Sequence, residues 1–112
     1  MGKYTIGEFE EVVMLTVAVL YDDAYGISIK QDIENRLNRK VSVGAMRTAL
    51  NRLEKKGYLK SYLGDATAIR GGKRKRFFLV TPLGKKVIEQ VMETRQQLWN
   101  AIPPLALDFE KN

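Results

Sequence analysis

The chain has 112 residues, 45% of them hydrophobic and 29% charged, which is the composition of a single globular unit and excludes a disordered, collagenous or membrane-spanning chain. Its 19 basic and 13 acidic side chains leave a formal net charge of +6. Zero cysteines and zero histidines exclude disulfides, thiolate metal sites, thiol catalysis and the usual general base, so most enzyme mechanisms are gone and no cofactor or metal is expected.

In chain order, Glu8 to Tyr21 is expected to be a first helix, apolar at Phe9, Val12, Val13, Thr16 and Leu20. Met14, Leu15, Val17, Ala18 and Val19 make it apolar nearly all round, so it should be covered on several sides. The run Val12 to Leu20 is too short to cross a bilayer, and the acidic residues before it are wrong for a secretory signal. A cytoplasmic protein without a membrane partner is expected. A second helix, about Gly26 to Asn38, places Ile29, Ile33 and Leu37 on one stripe.

Ser42 is a good N-cap for a third helix running to Lys56, with Gly57 as its left-handed C-cap. Val43, Met46, Leu50 and Leu53 form a narrow apolar stripe, and Ala45, Arg47, Thr48, Asn51, Arg52 and Lys55 face out. Two strands follow, Tyr58 to Gly64 and Arg76 to Thr81, joined by a loop from Asp65 to Lys75 that carries Arg70, Lys73, Arg74 and Lys75 around Gly71 and Gly72. Thr81 caps and Pro82 opens a last helix to about Ala101, stopped by Pro103 and Pro104. Its seam of Ile88, Val91, Leu98 and Ile102 with Arg95 inside it, and Val87 beside it, is coiled-coil-like and suits a second subunit. A chain this short buries only about 60 to 70% of its unfolded surface, which also favours a partner for any leftover apolar face.

Charge is segregated along this order. From Arg36 to Lys86 there are fifteen basic and two acidic side chains, a balance of +13, and the remainder carries a balance of −7. The basic half is what a polyanion would meet. Three helices, a basic hairpin and a last helix are the order of an α+β, mainly helical winged helix-turn-helix, whose third helix enters a major groove while the hairpin touches the backbone beside it. Arg47, Thr48, Asn51 and Arg52 have the character of base-reading side chains, whereas Lys55, Lys56 and the wing cations suit phosphates. The Gly71-Gly72-Lys73 string is not a phosphate-binding P-loop: Thr67 and Arg74 stand where that motif needs Gly and Ser or Thr.

Three strings resemble the PadR-like transcriptional regulators. Tyr25-Gly26-Ile27-Ser28-Ile29 is similar to the start of that family's second helix, and Ser42-Val43-Gly44-Ala45 followed by Ala49 to Leu59 is similar to its recognition helix. Gly72 to Gly84 is similar to its wing and the entry to its last helix. The chain departs from the family pattern at Arg47, Arg74 and the Phe77-Phe78 pair, where members usually carry Tyr, Pro and Tyr-Tyr. The resemblance, over roughly residues 8 to 100, implies a winged-helix DNA-binding domain (1–81), a dimerisation helix (82–102) and a tail (103–112). It implies a homodimeric repressor on an inverted-repeat operator in double-stranded DNA, often released by a small aromatic or drug-like effector. Ser42, Arg47, Thr48, Asn51, Arg52, Lys55, Arg70, Lys73, Arg74 and Lys75 are then the DNA-binding candidates. Trp99 is a candidate for stacking on an effector, against the heavier expectation that it simply packs. The rival from another class is a winged helix used as a protein-interaction module.

Overall fold

The computed structural model describes residues 6–64, 69–70 and 73–109. Helix α1 (Glu8–Leu20) is followed by a 3-10 turn (Tyr21–Asp23), α2 (Gly26–Leu37) and α3 (Val43–Lys55). Strands β1 (Leu59–Leu63), β2 (Ile69–Arg70), β3 (Lys73–Arg74) and β4 (Arg76–Val80) lead into α4 (Pro82–Ala101), and a second 3-10 turn covers Pro104–Leu107. The helix boundaries follow local chemistry. Ser42 Oγ accepts the Ala45 N–H at 3.0 Å, and Thr81 Oγ1 accepts the Gly84 N–H at 3.0 Å, each satisfying an orphan donor of a first helical turn. Asn38 (φ 50°) and Gly57 (φ 82°) take the left-handed conformation that ends α2 and α3.

β1 and β4 pair antiparallel with Leu59 opposite Val80 and Leu63 opposite Arg76. A single bridge adds Tyr25 opposite Phe77, and the Phe78 N–H donates to the Ala24 carbonyl at 2.8 Å. The α1–α2 connection thus lies along the free edge of β4, which fixes the start of α2 against the wing. Ser28 Oγ accepts the Tyr25 N–H at 2.9 Å and donates to the Asp23 carbonyl at 2.6 Å, locking that corner. The core is built from Val13, Met14, Val17, Ile29, Ile33, Met46, Leu50, Leu53, Leu59, Phe78 and Val87, all buried.

Five sequence expectations change. The loop between the long strands holds a further short ladder, β2 on β3, with Ile69 opposite Arg74. Val43 does not join the apolar stripe of α3: it is 62% exposed, and Ala49 is buried there instead, because Val43 borders an open cleft between α3 and the start of α2 and not the core. Leu37 is likewise exposed, in the last turn of α2. α1 is less enclosed than its composition suggests, since Ala18 and Val19 face solvent. Val87 is fully buried inside the chain's own core and so is not part of the open face of α4. That face begins at the half-buried Ile88 and Val91. From Met92 to the end of the helix every residue is exposed, and the whole chain measures 61 × 31 × 21 Å.

Candidate nucleic-acid interface

α3 is amphipathic: Met46, Ala49, Leu50 and Leu53 are buried while Arg47, Thr48, Asn51, Arg52 and Lys55 are all exposed. The candidate base-reading residues are therefore on the surface, and they divide between two edges of the helix. Arg47 and Asn51 line a cleft of about 460 Å³ between α3, the start of α2 and the wing, shared with Tyr25, Ile27, Val43 and Lys75. Thr48 and Arg52 line a separate groove with Glu8, Phe9 and Glu10 of α1. The division follows from helix geometry, because residues four apart stack on one edge while successive residues are turned about 100° from each other.

The second edge is partly neutralised. The Glu10 carboxylate is nearly buried and meets Lys56 Nζ at 2.9 Å and Arg52 at 3.9 Å. Glu54 and Arg76 are also drawn into internal contacts: Ser61 Oγ donates to Glu54 at 2.6 Å and accepts from Arg76 at 2.9 Å. Ser42, a DNA-contact candidate, is exposed, but its hydroxyl oxygen already accepts the helix N–H that caps α3.

The wing cations lie beside the first edge. Lys75 Nζ sits 4.2 Å from the centre of the Tyr25 ring, a cation–π contact that holds the ammonium at the mouth of the cleft. The Tyr25 ring packs edge-on against Phe77 at 5.5 Å, and Phe77 stacks on Tyr62 at 5.6 Å, so an aromatic ladder spans wing and helix. Arg74 is exposed. The backbone of Arg70 and Lys73 forms the β2–β3 ladder, while their side chains lie outside the described residues. Tyr25, Ile27 and Lys30, which the sequence does not mark as site residues, form the wall opposite Arg47 and Asn51, and Val43 extends the Arg47–Asn51 edge of α3 along the same cleft. The Tyr25-Gly26-Ile27 string is the available signal, and the bridge to Phe77 with the Phe78–Ala24 hydrogen bond brings it to the cleft.

On α2, Glu34 holds the approach to α3: its carboxylate accepts the Val41 N–H at 3.0 Å and Lys30 Nζ at 3.1 Å. The Val41 hydrogen bond, followed by the Lys30 one, holds its carboxyl below the ordinary value of 4.5. The Arg39 hydrogen bond does the same for Glu8, across a bidentate pair at 2.9 and 3.0 Å.

At the far end of the molecule, Ile88 and Val91 are half-buried, Leu98 is 66% exposed, and Ile102 is exposed. Arg95 is turned back to Glu11 of α1 at 3.0 Å. Trp99 is 65% exposed and lines neither cleft beside α3. Among the described residues no group of three or more Asp or Glu side chains is placed to hold a metal, and no helix is long and apolar enough to cross a membrane.

Similarity to known proteins agrees with this architecture. A Lysinibacillus sphaericus protein described as "Uncharacterized protein X" is 35% identical over 77 residues, which is 67% of this chain and 68% of that one. A crystal structure of a PadR family transcription regulator from Clostridium difficile superposes with a TM-score of 0.62 at 24% identity, covering 82% of this chain and 92% of the other. RosR of H. salinarum gives a TM-score of 0.73 at 17% identity over 91% and 84% of the two chains, so these folds agree where the sequences have diverged. The family model described as "Transcriptional regulator PadR-like family" matches residues 14–90, from the middle of α1 through the hairpin into α4, and the chain is on that ground a winged-helix member of the PadR-like transcriptional regulators, a regulator and not an enzyme.

Proposed function

We propose that the protein is a cytoplasmic, homodimeric regulator that binds double-stranded DNA sequence-specifically at an inverted repeat and acts chiefly as a repressor. The observation that carries this reading is the cleft in which Arg47 and Asn51 stand exposed beside the wing cation Lys75. Arg pairs with the two acceptors of guanine and Asn with the donor and acceptor of adenine. Arg74 and Lys75, with Arg70 and Lys73, would lie against phosphates, which set position without setting sequence. Thr48 and Arg52 contribute from the second edge, where Glu10 moderates their field, and Lys55, four residues beyond Asn51, extends the first edge.

The apolar side chains of α4 beyond its packed first turns, Leu98 and Ile102 with Ile88 and Val91, supply the dimer contact. Two recognition helices related by a two-fold axis would then lie about 34 Å apart, one turn of the duplex. An aromatic effector stacked on Trp99, on the same helix, would act on that contact. The test is selection of bound duplexes from a random pool followed by a salt titration. With about four phosphates per subunit, log K should fall against log salt with a slope near −7. A slope shallower than about −2, or no enriched sequence, contradicts the proposal.

A further inference from the structure

Val43 is exposed where the protein has no packing use for an aliphatic side chain. It is the first residue of α3, 62% exposed, and it lies on the same cleft as Arg47 and Asn51. Ile27, in the opposite wall, is 60% exposed. The apolar floor of the cleft is completed by Met46, Leu50 and Phe78, and its rim is cationic, with Arg47, Lys75 and Arg76. The cleft thus sets the exposed aliphatic side chains of Val43 and Ile27 beside a cationic rim, and that rim selects a polyanion over an apolar peptide.

Val43, Arg47 and Asn51 are spaced four residues apart and so share one edge of the helix. The rise from Val43 to Arg47 is about 6 Å, and base pairs are spaced about 3.4 Å apart. When a helix enters the major groove its N-terminal residues are the ones that meet base edges. Val43 offers neither donor nor acceptor, and the one apolar group exposed in that groove is the 5-methyl of thymine.

We infer that Val43 is a specificity-determining residue, its isopropyl group packing on the 5-methyl of a thymine within about two base pairs of the base read by Arg47. The inference rests on the DNA-reading assignment above and adds the chemistry of one position. Ile27 belongs to α2, the helix that crosses over the backbone in this docking geometry, and so backs the cleft without touching the base.

The test uses the full chain and a duplex enriched from a random pool, in which each thymine of the half-site is replaced in turn by deoxyuridine. One replacement should weaken binding about fourfold per half-site, the worth of one buried methyl group, and the others should not. The variant Val43→Ser should bind the thymine and uracil duplexes equally, while Ile27→Ser should keep the fourfold difference. An enriched operator in which no thymine is methyl-sensitive overturns the inference and leaves the DNA assignment intact. A methyl effect that persists in Val43→Ser, or disappears in Ile27→Ser, also overturns it. Failure to enrich any sequence overturns both.

Discussion

Single residues carry the tightest constraints. Gly84, in the first turn of α4, lies so close to the Tyr58 carbonyl that a Cβ there would collide with it, and Val80 Cγ1 would stand 3.0 Å away. The obstacle is backbone, which cannot swing aside. Gly84→Ala is therefore expected to destabilise by about 1 to 3 kcal/mol, whereas Gly44→Ala, with nothing within 4 Å of its Cβ position, should be neutral or stabilising by about 0.5 kcal/mol. Thermal melts of the two variants check the contrast. Glu34 makes a pH prediction. Because its folded-state pKa lies below 4.5, its contribution to stability is fully present above that value and is lost as pH falls through the folded pKa. The melting-temperature gap between the native chain and Glu34→Gln should be open at pH 7 and narrow steadily below pH 4.5. A gap independent of pH would remove the Val41 contact from the account. At the interface, Arg47→Ser should cost about 1 to 3 kcal/mol at a single base pair and relax preference there, read from selection profiles of the two proteins.

At the scale of elements, wing and recognition helix divide the work. Replacing Arg74 and Lys75 by Ala should weaken binding to all duplexes alike and flatten the salt slope by about one unit per lost phosphate contact. A changed sequence preference would mean that the wing reads bases. The elements themselves were largely legible in the sequence, because their ends are written in local chemistry: Ser42 caps α3, Gly57 closes it, and Thr81-Pro82 opens α4. What escaped was tertiary. Counting threes and fours along α3 puts Val43 with Met46, but whether a first-turn side chain is covered depends on its tertiary neighbours, and Val43 is left 62% exposed on an open cleft. The same ambiguity placed Val87 on an outer seam, when the start of α4 is pressed into the core. A two-residue ladder such as β2–β3 is too short for any alternation to register. The Arg47–Asn51 edge was legible as exposed and basic. Its opposite wall was not, since Tyr25 and Ile27 are brought there by long-range contacts, the bridge to Phe77 and the hydrogen bond from Phe78 to Ala24.

The whole molecule is polarised in charge and in surface chemistry. Residues 36–86 hold a balance of +13 and the rest −7, so a duplex is drawn to the α3–wing side, although Glu8 and Glu10 of the acidic remainder border the Thr48–Arg52 edge of α3. The other end presents the exposed half of α4 with Leu98, Trp99 and Ile102. If these residues join two copies, Leu98→Glu combined with Ile102→Glu should give a monomer by sedimentation. Affinity for a two-half-site duplex should then fall by about 100-fold or more through lost bivalency, while affinity for an isolated half-site stays unchanged. The most direct measurement is a competition at physiological salt between the enriched inverted repeat and random duplex of equal length. The account predicts a preference of about a thousandfold or more for the repeat, and equal binding to the two would contradict it.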